Sequence, residues 1–355
     1  MFSSLLAPLA KTLRSHFGLS KSRLETFAVL IVGLVNCRTV NLSHIASQFP
    51  GPAQHASNYR RLQRFFQYVR LDCDLVAQIV VRMLKLDKCR CLVLDRTNWK
   101  LGNRNINILM LAVVTHRFRV PLMWTMLDKQ GTSNIDERIG LIERYLALFG
   151  ASSIQILLAD REFIGAQWMR FLNKNNVPFA IRIKEDMLVS LEGAGLRQFR
   201  TLLRKRRNGV WQGWLTGMEM TPQNRLRFAA RRIRQGELII VATNTGCARQ
   251  ALNTYRRRWG IECLFSDTKR RGFNLEDTHI TDPEKLTSLI AIIAMAVTWS
   301  CRCASQTMGR KAIGRKAHGR RHKSWFRTGF DTLRNWIIHQ PETAKMIWIK
   351  SWQNT

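Results

Sequence analysis

The sequence predicts an α/β protein with one mixed sheet, a β-rich insertion and helical regions at both ends. Three observations predict it. Short apolar runs alternate with amphipathic helical segments between residues 88 and 184, short β-rich segments follow, and helical periodicity dominates both ends of the chain. Hydrophobic residues make up 46% of the 355 residues, so the chain can bury a large core and is not a disordered basic tail.

The N-terminal region, residues 1–87, carries helical signals. Ser22 stands three residues before Glu25 at the head of an apolar run, the pattern of a capping box. A second short helix ends at the breaker 50–52, and a third, from about 57 to 69, has arginines along one face. Three short helices with a basic last one fit either a small DNA-binding bundle or a helical cap on the next domain.

The next region, residues 88–184, contains three strands, a helix, a strand, a helix and a strand, judged from apolar runs and helical periodicity. Ser133 or Asn134 can cap the first of these helices, and Gly150 can end it. This order of elements matches the ribonuclease-H-like fold.

The second half begins with residues 185–245, whose alternating segments predict a β-rich insertion. Helical pattern resumes near Cys247 and continues to Arg271, and an apolar helix follows at 284–303. Its apolar run, 286–301, is shorter than the roughly 20 residues of a spanning helix and contains Ser and Thr, which favours a buried core helix.

These shifts in pattern divide the chain into five regions. They are a helical DNA-binding domain (1–87), the first part of a ribonuclease-H-like core (88–184), a β-rich insertion (185–245), the second part of the core (246–305) and a basic C-terminal region (306–355).

The charge balance is strongly basic, with 57 Lys and Arg against 24 Asp and Glu and a formal net charge of +33. A polyanionic partner relieves the resulting self-repulsion, so we expect nucleic acid first and an anionic membrane surface second. Eight cysteines are too few for a disulfide framework, and residues 1–20 show no secretory signal pattern. We therefore expect a reducing, cytoplasmic compartment.

Two aspartates stand where apolar strands end. Asp95 follows one apolar run and Asp160 follows another. Sites in open α/β sheets lie beyond the carboxyl ends of strands, and two adjacent carboxylates are best tolerated when they share a hard cation. The alternative is that each aspartate only caps the turn after its strand, as Asp160 could do before Arg161.

The third carboxylate is expected from the helix that begins near residue 247. Offsets of three, four and seven residues place a tyrosine, an arginine, a glutamate and a lysine on one broad helical face. A glutamate there can complete a metal site, while the cations beside it hold phosphates. The alternative is a surface helix with an i,i+4 salt bridge. The four residues are Tyr255, Arg258, Glu262 and Lys269.

These motifs identify a family resemblance. The sequence resembles the DDE transposases of bacterial insertion sequences, in the IS-four group that includes the Tn-five and Tn-ten enzymes. The resemblance rests on VLDRTNW around Asp95, LLADREF around Asp160 and the pattern Y-x2-R-x3-E-x6-K that begins at Tyr255. It covers roughly residues 88–305.

The resemblance implies a site and a reaction. Asp95, Asp160 and Glu262 would be catalytic and would hold two Mg²⁺ ions, for which Mn²⁺ would substitute, while Tyr255, Arg258 and Lys269 would bind DNA. The enzyme would cleave the ends of an insertion sequence and join them to target DNA, by a cut-and-paste route with a hairpin intermediate. Its partners would be double-stranded DNA, at the terminal inverted repeats and the target, and a second copy in a synaptic homodimer. It would have no membrane partner and would lie in the bacterial cytoplasm, on the nucleoid when bound.

Two other functions use part of the same features. A ribonuclease-H-like nuclease without strand transfer would need the three acids but not the tyrosine, arginine and lysine around Glu262. A non-catalytic DNA-binding protein would explain the charge but not two aspartates at strand ends followed by a suitably placed glutamate.

Overall fold

The computed structural model describes most of the chain. The expected boundary between residues 87 and 88 lies outside the described residues. The described residues are 2–86, 89–233, 236–309, 311–314, 316–317 and 322–353.

The described part of the N-terminal region, residues 2–86, forms five helices where the sequence predicted three. The second of them is apolar on almost every side and is buried nearly throughout. It begins one residue after Ser20, so Ser22 is not its cap, and the predicted capping box with Glu25 does not form. The helices are α1 (Phe2–Arg14), α2 (Lys21–Cys37), α3 (Leu42–Ala46), α4 (His55–Tyr68) and α5 (Cys73–Met83).

The core confirms the predicted ribonuclease-H-like order. Its strands lie in the order β3-β2-β1-β4-β5. Strand β2 is antiparallel to its neighbours, while β4 and β5 run parallel to β1. Asn134 caps the first core helix in a capping box with Glu137, and Gly150 ends it at φ 71°. The elements are β1 (Arg90–Leu101), β2 (Arg104–Val114), β3 (Arg119–Met126), α6 (Ile135–Phe149), β4 (Ile154–Ala159), α7 (Ala166–Lys174) and β5 (Phe179–Ile183).

The β-rich insertion extends the same sheet. Its last strand pairs antiparallel with β5, and the remaining strands continue outward to give ten strands in the order β3-β2-β1-β4-β5-β10-β9-β8-β6-β7. The edge that β5 would otherwise expose is therefore paired. The elements are β6 (Leu188–Leu191), β7 (Gly195–Gln198), α8 (Phe199–Leu202), β8 (Asn208–Leu215), β9 (Leu226–Arg232) and β10 (Leu238–Thr243).

The helical segment predicted from 247 to 271 is not continuous. A 3-10 turn, Arg256–Arg258, separates two short α-helices, and the Arg258 side chain is directed inward to Asp95 of the sheet. The whole-turn spacing expected along one helix therefore does not hold across this segment. The remaining elements are α9 (Ala248–Tyr255), α10 (Trp259–Thr268), α11 (Pro283–Met308), α12 (Trp325–His339) and α13 (Pro341–Trp352).

Helix α11 is the central core helix. It is long and apolar enough to cross a membrane by length and composition, but 89% of its most apolar window is buried inside the protein. It packs against helices from both ends of the chain, with Leu71 N donating to Ser288 Oγ and α12 lying along its second half. The predicted core helix is confirmed.

Helix α12 approaches α11 through a glycine. A Cβ at Gly329 would lie 1.9 Å from the Ser300 carbonyl oxygen and 2.8 Å from the Ala304 Cβ. We expect Gly329→Ala to lower the free energy of unfolding by about 2–3 kcal/mol, because the helices must separate. Denaturant unfolding followed by circular dichroism measures it. Gly140→Ala, in an open position of α6, is the control and should be neutral or raise stability by up to about 1 kcal/mol.

Candidate active site

The strand register brings the two aspartates together. Strands β1 and β4 pair in parallel up to Leu94 opposite Ala159, and Asp95 and Asp160 are the next residues on each. Strand β4 ends there, as predicted. Strand β1 does not, because its hairpin with β2 continues to Leu101, so Asp95 lies inside the strand. The prediction that Asp95 ends its strand is wrong, but Asp95 does stand where the pairing with β4 ends.

Arg258 gathers three carboxylates. Its Nη1 lies 3.2 Å from Asp95 Oδ2 and 3.9 Å from Asp160 Oδ2. Its Nη2 lies 2.5 Å from Glu262 Oε1, and the arginine side chain is only 13% exposed. Side chains from β1, from the end of β4 and from α10 therefore meet at one cation.

Tyr255 belongs to the same cluster. Its hydroxyl donates to Asp160 Oδ1 at 3.3 Å, and its side chain is buried. Burial, together with the negative charge of Asp160, raises the pKa of Tyr255 well above its ordinary value. The phenol therefore stays protonated and serves as a hydrogen-bond donor at neutral pH.

Lys269 was predicted to share a helical face with Glu262, but it lies apart from the three carboxylates. It is the C-cap of α10, and its Nζ donates to the Asn98 carbonyl at 3.1 Å, farther along β1 than Asp95. The ammonium also lies 4.9 Å from the Trp99 ring centroid and 3.1 Å from Glu276 Oε1. Within the described residues it forms no ion pair with the three carboxylates, since the helix ends before it.

Each aspartate accepts a hydrogen bond from the backbone amide that follows it, as the capping alternative predicted, and also belongs to the cluster around Arg258. The backbone N–H of Arg96 donates to Asp95 Oδ1, and that of Arg161 donates to Asp160 Oδ1, both at 2.8 Å. In each aspartate the other oxygen, Oδ2, faces Arg258. One oxygen therefore orients the carboxylate while the second is available to a cation.

An ion pair that sequence reasoning missed joins β1 to the segment that follows β4. Arg96 Nη2 lies 3.6 Å from Glu162 Oε2, and Arg96 Nη1 donates to Asn107 Oδ1 at 3.1 Å. Glu162 Oε1 is buried and has no hydrogen-bond partner in the described structure. The signal was present in the sequence, because Arg96 follows Asp95 directly in DRTNW and Glu162 stands two residues after Asp160 in DREF.

Asp95 is held at a cost to stability. Burial raises its pKa to about 6, although the Arg96 amide and Arg258 lower it. Because its pKa is raised, Asp95 binds a proton more tightly in the folded protein than in the unfolded chain. This contribution to the free energy of unfolding is fully present below the ordinary carboxyl pKa and is lost as the pH rises through about 6. We expect metal-free Asp95→Asn to be more stable than the wild type at pH 8 by about 2–3 kcal/mol, and the two to converge near pH 4. Chemical denaturation at each pH tests this, with the exposed Asp128→Asn as control. A difference that does not change with pH would contradict it.

The donor set fits a divalent cation. Two aspartates and a glutamate offer the carboxylate oxygens that Mg²⁺ and Mn²⁺ prefer, and the guanidinium among them shows that this position attracts positive charge. Among the residues that the structure describes, no three His, Cys, Asp or Glu side chains lie close enough together to hold one ion. Arg258 lies between the carboxylates, so metal binding requires this side chain to move.

The fold and the three acids define a class of protein. A ribonuclease-H-like sheet with carboxylates where its central parallel strands stop pairing is the framework of metal-dependent nucleases and transposases that act on phosphodiesters. The sequence narrows the class, since the transposase DDE domain family matches residues 89–299, which is more than half of the chain. The chain belongs to this family of DNA transposases, whose catalytic domains use divalent metal ions.

Other similarities are weaker. A cryo-EM structure of the piggyBac transposase synaptic complex with hairpin DNA resembles the chain with a TM-score of 0.48 and 10% sequence identity, covering 99% of this chain and 82% of that one. This similarity is distant. No curated protein shows significant sequence similarity to the chain.

Proposed function

We propose that the chain is the cut-and-paste transposase of a bacterial insertion sequence of the IS-four group, with Asp95, Asp160 and Glu262 as its catalytic, metal-holding acids. The observation that carries the proposal is the convergence of these three carboxylates on Arg258 at the end of the β1–β4 pairing. Membership of the transposase family supports the same reaction class.

The acids would hold divalent ions, two Mg²⁺ or Mn²⁺ in our proposal. When bound, such ions supply Lewis-acid stabilisation and an activated water or hydroxyl for in-line displacement at phosphorus. Asp95 and Asp160 are oriented for this role by the amides of Arg96 and Arg161. Their carboxylates are thereby fixed before substrate arrives.

The cations and the phenol would act on the DNA. Arg258, once released from the carboxylates, presents a planar fork of donors suited to a phosphate. Tyr255 holds Asp160 through its hydroxyl and lies beside the same position. Lys269 lies farther along β1 beside the Trp99 ring, where it would contact the DNA strand next to the scissile phosphate.

The proposed reaction sequence is the one that the resemblance to the IS-four group implies. Hydrolysis at the element end frees a 3′-hydroxyl, which attacks the opposite strand to give a hairpin, and after water reopens the hairpin the same hydroxyl attacks target DNA. Terminal inverted repeats and target would both be double-stranded DNA. Two copies of the chain would synapse the two ends as a homodimer, in the bacterial cytoplasm and without a membrane partner.

Cleavage of end-labelled DNA tests the proposal. Purified protein is incubated with duplex DNA ending in the element's own inverted repeat, with and without Mg²⁺. Metal-dependent nicking at the end, followed by hairpin and joined products, is the expected result. Nicking without hairpin or joining would instead indicate a nuclease, and binding without cleavage in either Mg²⁺ or Mn²⁺ would indicate a non-catalytic DNA-binding protein.

A further inference from the structure

The parallel pairing of β1 with β4 ends just before the two aspartates. Its last pair is Leu94 opposite Ala159, so the ladder itself does not hold Asp160 against Asp95. Strand β1 continues with β2 as its partner, whereas the chain after β4 leaves the sheet in a 3-10 turn, Arg161–Phe163. The spacing of the two carboxylates therefore depends on side-chain contacts beyond the ladder.

Two such contacts differ in what metal binding asks of them. Arg258 bridges the aspartates directly, but it must move before a cation can enter. The ion pair of Arg96 with Glu162 joins the same two segments, Nη2 to Oε2 at 3.6 Å, and its side chains are only 16% and 26% exposed. Each partner lies within two residues of an aspartate, and the Arg96 amide also donates to Asp95. This ion pair can remain in place when Arg258 leaves.

Asn107 holds the arginine of this ion pair. It is buried on β2, and its Oδ1 accepts from Arg96 Nη1 at 3.1 Å. Its Nδ2 donates to the carbonyl oxygens of Lys129 and Gly131 at 2.9 and 3.0 Å. Because the amide nitrogen is used in this way, the amide oxygen faces Arg96 and the guanidinium is held in one orientation.

The turn after β4 holds the glutamate. Phe163, the next residue, is fully buried, and the Arg138 guanidinium lies 5.1 Å from its ring centroid. Arg138 is itself buried and donates to the side-chain and backbone oxygens of Ser133. Its positive charge also acts on Glu162. The carboxylate therefore interacts with two cations, Arg96 from β1 and Arg138 from α6.

The ion pair also contains polar atoms that are not satisfied. Arg96 Nε and Glu162 Oε1 are buried without a hydrogen-bond partner, and among the described residues no other charged side chain has such an atom. An unpaired buried atom of a charged group lowers the free energy of unfolding. Proteins keep such costs chiefly at functional sites, so the aspartates beside this pair explain it better than stability does.

We propose that the Arg96–Glu162 ion pair, held by Asn107, sets the spacing of the Asp95 and Asp160 carboxylates so that they can share divalent ions. Arg96 and Glu162 are then positioning residues, which act through the two aspartates. The inference rests on the proposed function, since it takes these aspartates as metal-holding acids. Removing a group that holds metal ligands in place typically lowers metal affinity or activity by roughly 10- to 100-fold.

A Mg²⁺ titration of the full-length protein tests the ion pair. It is followed by the rise in Tm without DNA and by single-turnover cleavage of end-labelled duplex. For Arg96→Gln and for Glu162→Gln we expect the half-saturating Mg²⁺ concentration to rise by roughly 10- to 100-fold in both measurements. The double variant should match either single variant within about twofold, because effects of residues that act as one unit are not additive.

Two further variants calibrate this result. Arg96→Lys keeps the charge without the planar fork, so it should raise the Mg²⁺ requirement less than Arg96→Gln does. Arg144→Gln removes a partly exposed ion pair with Asp74, outside the site, and is the matched control that should leave the Mg²⁺ requirement unchanged. If a glutamine variant is unfolded by circular dichroism, Arg96→Lys and Glu162→Asp replace it, and the absence of any rise in both would contradict the inference.

The outcomes separate the ion pair from the function. Glutamine variants that need no more Mg²⁺ than the control would overturn the inference and leave the proposed function standing. If Glu162→Gln loses cleavage at every Mg²⁺ concentration while Arg96→Gln matches the control, Glu162 holds metal itself and the positioning role is wrong. A wild type with neither a Mg²⁺-dependent Tm nor cleavage would overturn both.

Discussion

Glu262→Gln is expected to abolish DNA cleavage while leaving DNA binding unchanged. The substitution keeps the size and one oxygen of the side chain but removes the charge that faces Arg258 and completes the set of three acids. Loss of a metal-holding carboxylate should lower the single-turnover cleavage rate at least ~10³-fold, equivalent to about 4 kcal/mol of transition-state stabilisation. Measuring cleavage and gel-shift affinity on the same end-labelled duplex separates the two effects.

The control for this prediction is Glu284→Gln. Glu284 is an exposed glutamate that pairs with Arg70 at the start of α11, outside the acidic site. Its substitution should alter the cleavage rate by less than about twofold, in keeping with the small value of a surface ion pair. If Glu262→Gln cleaves DNA at the rate of the control variant, Glu262 is not a catalytic residue. The adjacency of Asp95 and Asp160 does not depend on this outcome.

Arg258→Ala is expected to destabilise the metal-free protein and to make its stability strongly metal-dependent. Among the described residues, the Arg258 guanidinium is the cation that pairs with Asp95, Asp160 and Glu262, so its removal leaves three carboxylates repelling one another. Breaking such a partly buried group should cost about 3 kcal/mol. Mg²⁺ or Mn²⁺ should restore much of this, because the vacated position favours a cation and ligand binding stabilises the folded state.

Thermal unfolding with and without metal measures this effect independently of activity. The rise in Tm on adding Mg²⁺ should be larger for Arg258→Ala than for the wild type, and Arg258→Lys should lie between them, since a lysine lacks the planar fork. Arg144→Ala, which removes a half-exposed ion pair with Asp74, is the control and should shift Tm little. If Arg258→Ala has the metal-free Tm of the wild type, Arg258 does not serve as the counterion of the acids.

Much of the fold was predictable because its signals are local. The apolar runs and helical stripes between 89 and 183 gave the order of strands and helices, and Asn134 and Gly150 gave the ends of α6. The prediction failed where two serines could each precede the same helix: α2 begins at Lys21, so its N-cap residue is Ser20 and not Ser22. The inward ion pair of Arg258 with Asp95 could not be predicted either, since it joins positions far apart in the sequence.

The candidate site also combines features that local sequence predicts with contacts that only the folded structure decides. The sequence by itself determined which residue types the site would use, since scarce acids in a chain of net charge +33 stand out at the ends of apolar runs. Only the tertiary structure decided which of them meet: the β1–β4 register placed Asp95 beside Asp160, Arg258 joined both to Glu262, and Lys269 fell outside the cluster. The physical reason is that residue chemistry and periodicity are properties of neighbouring positions, whereas strand register and ion pairing across 163 residues are settled by packing of the whole core.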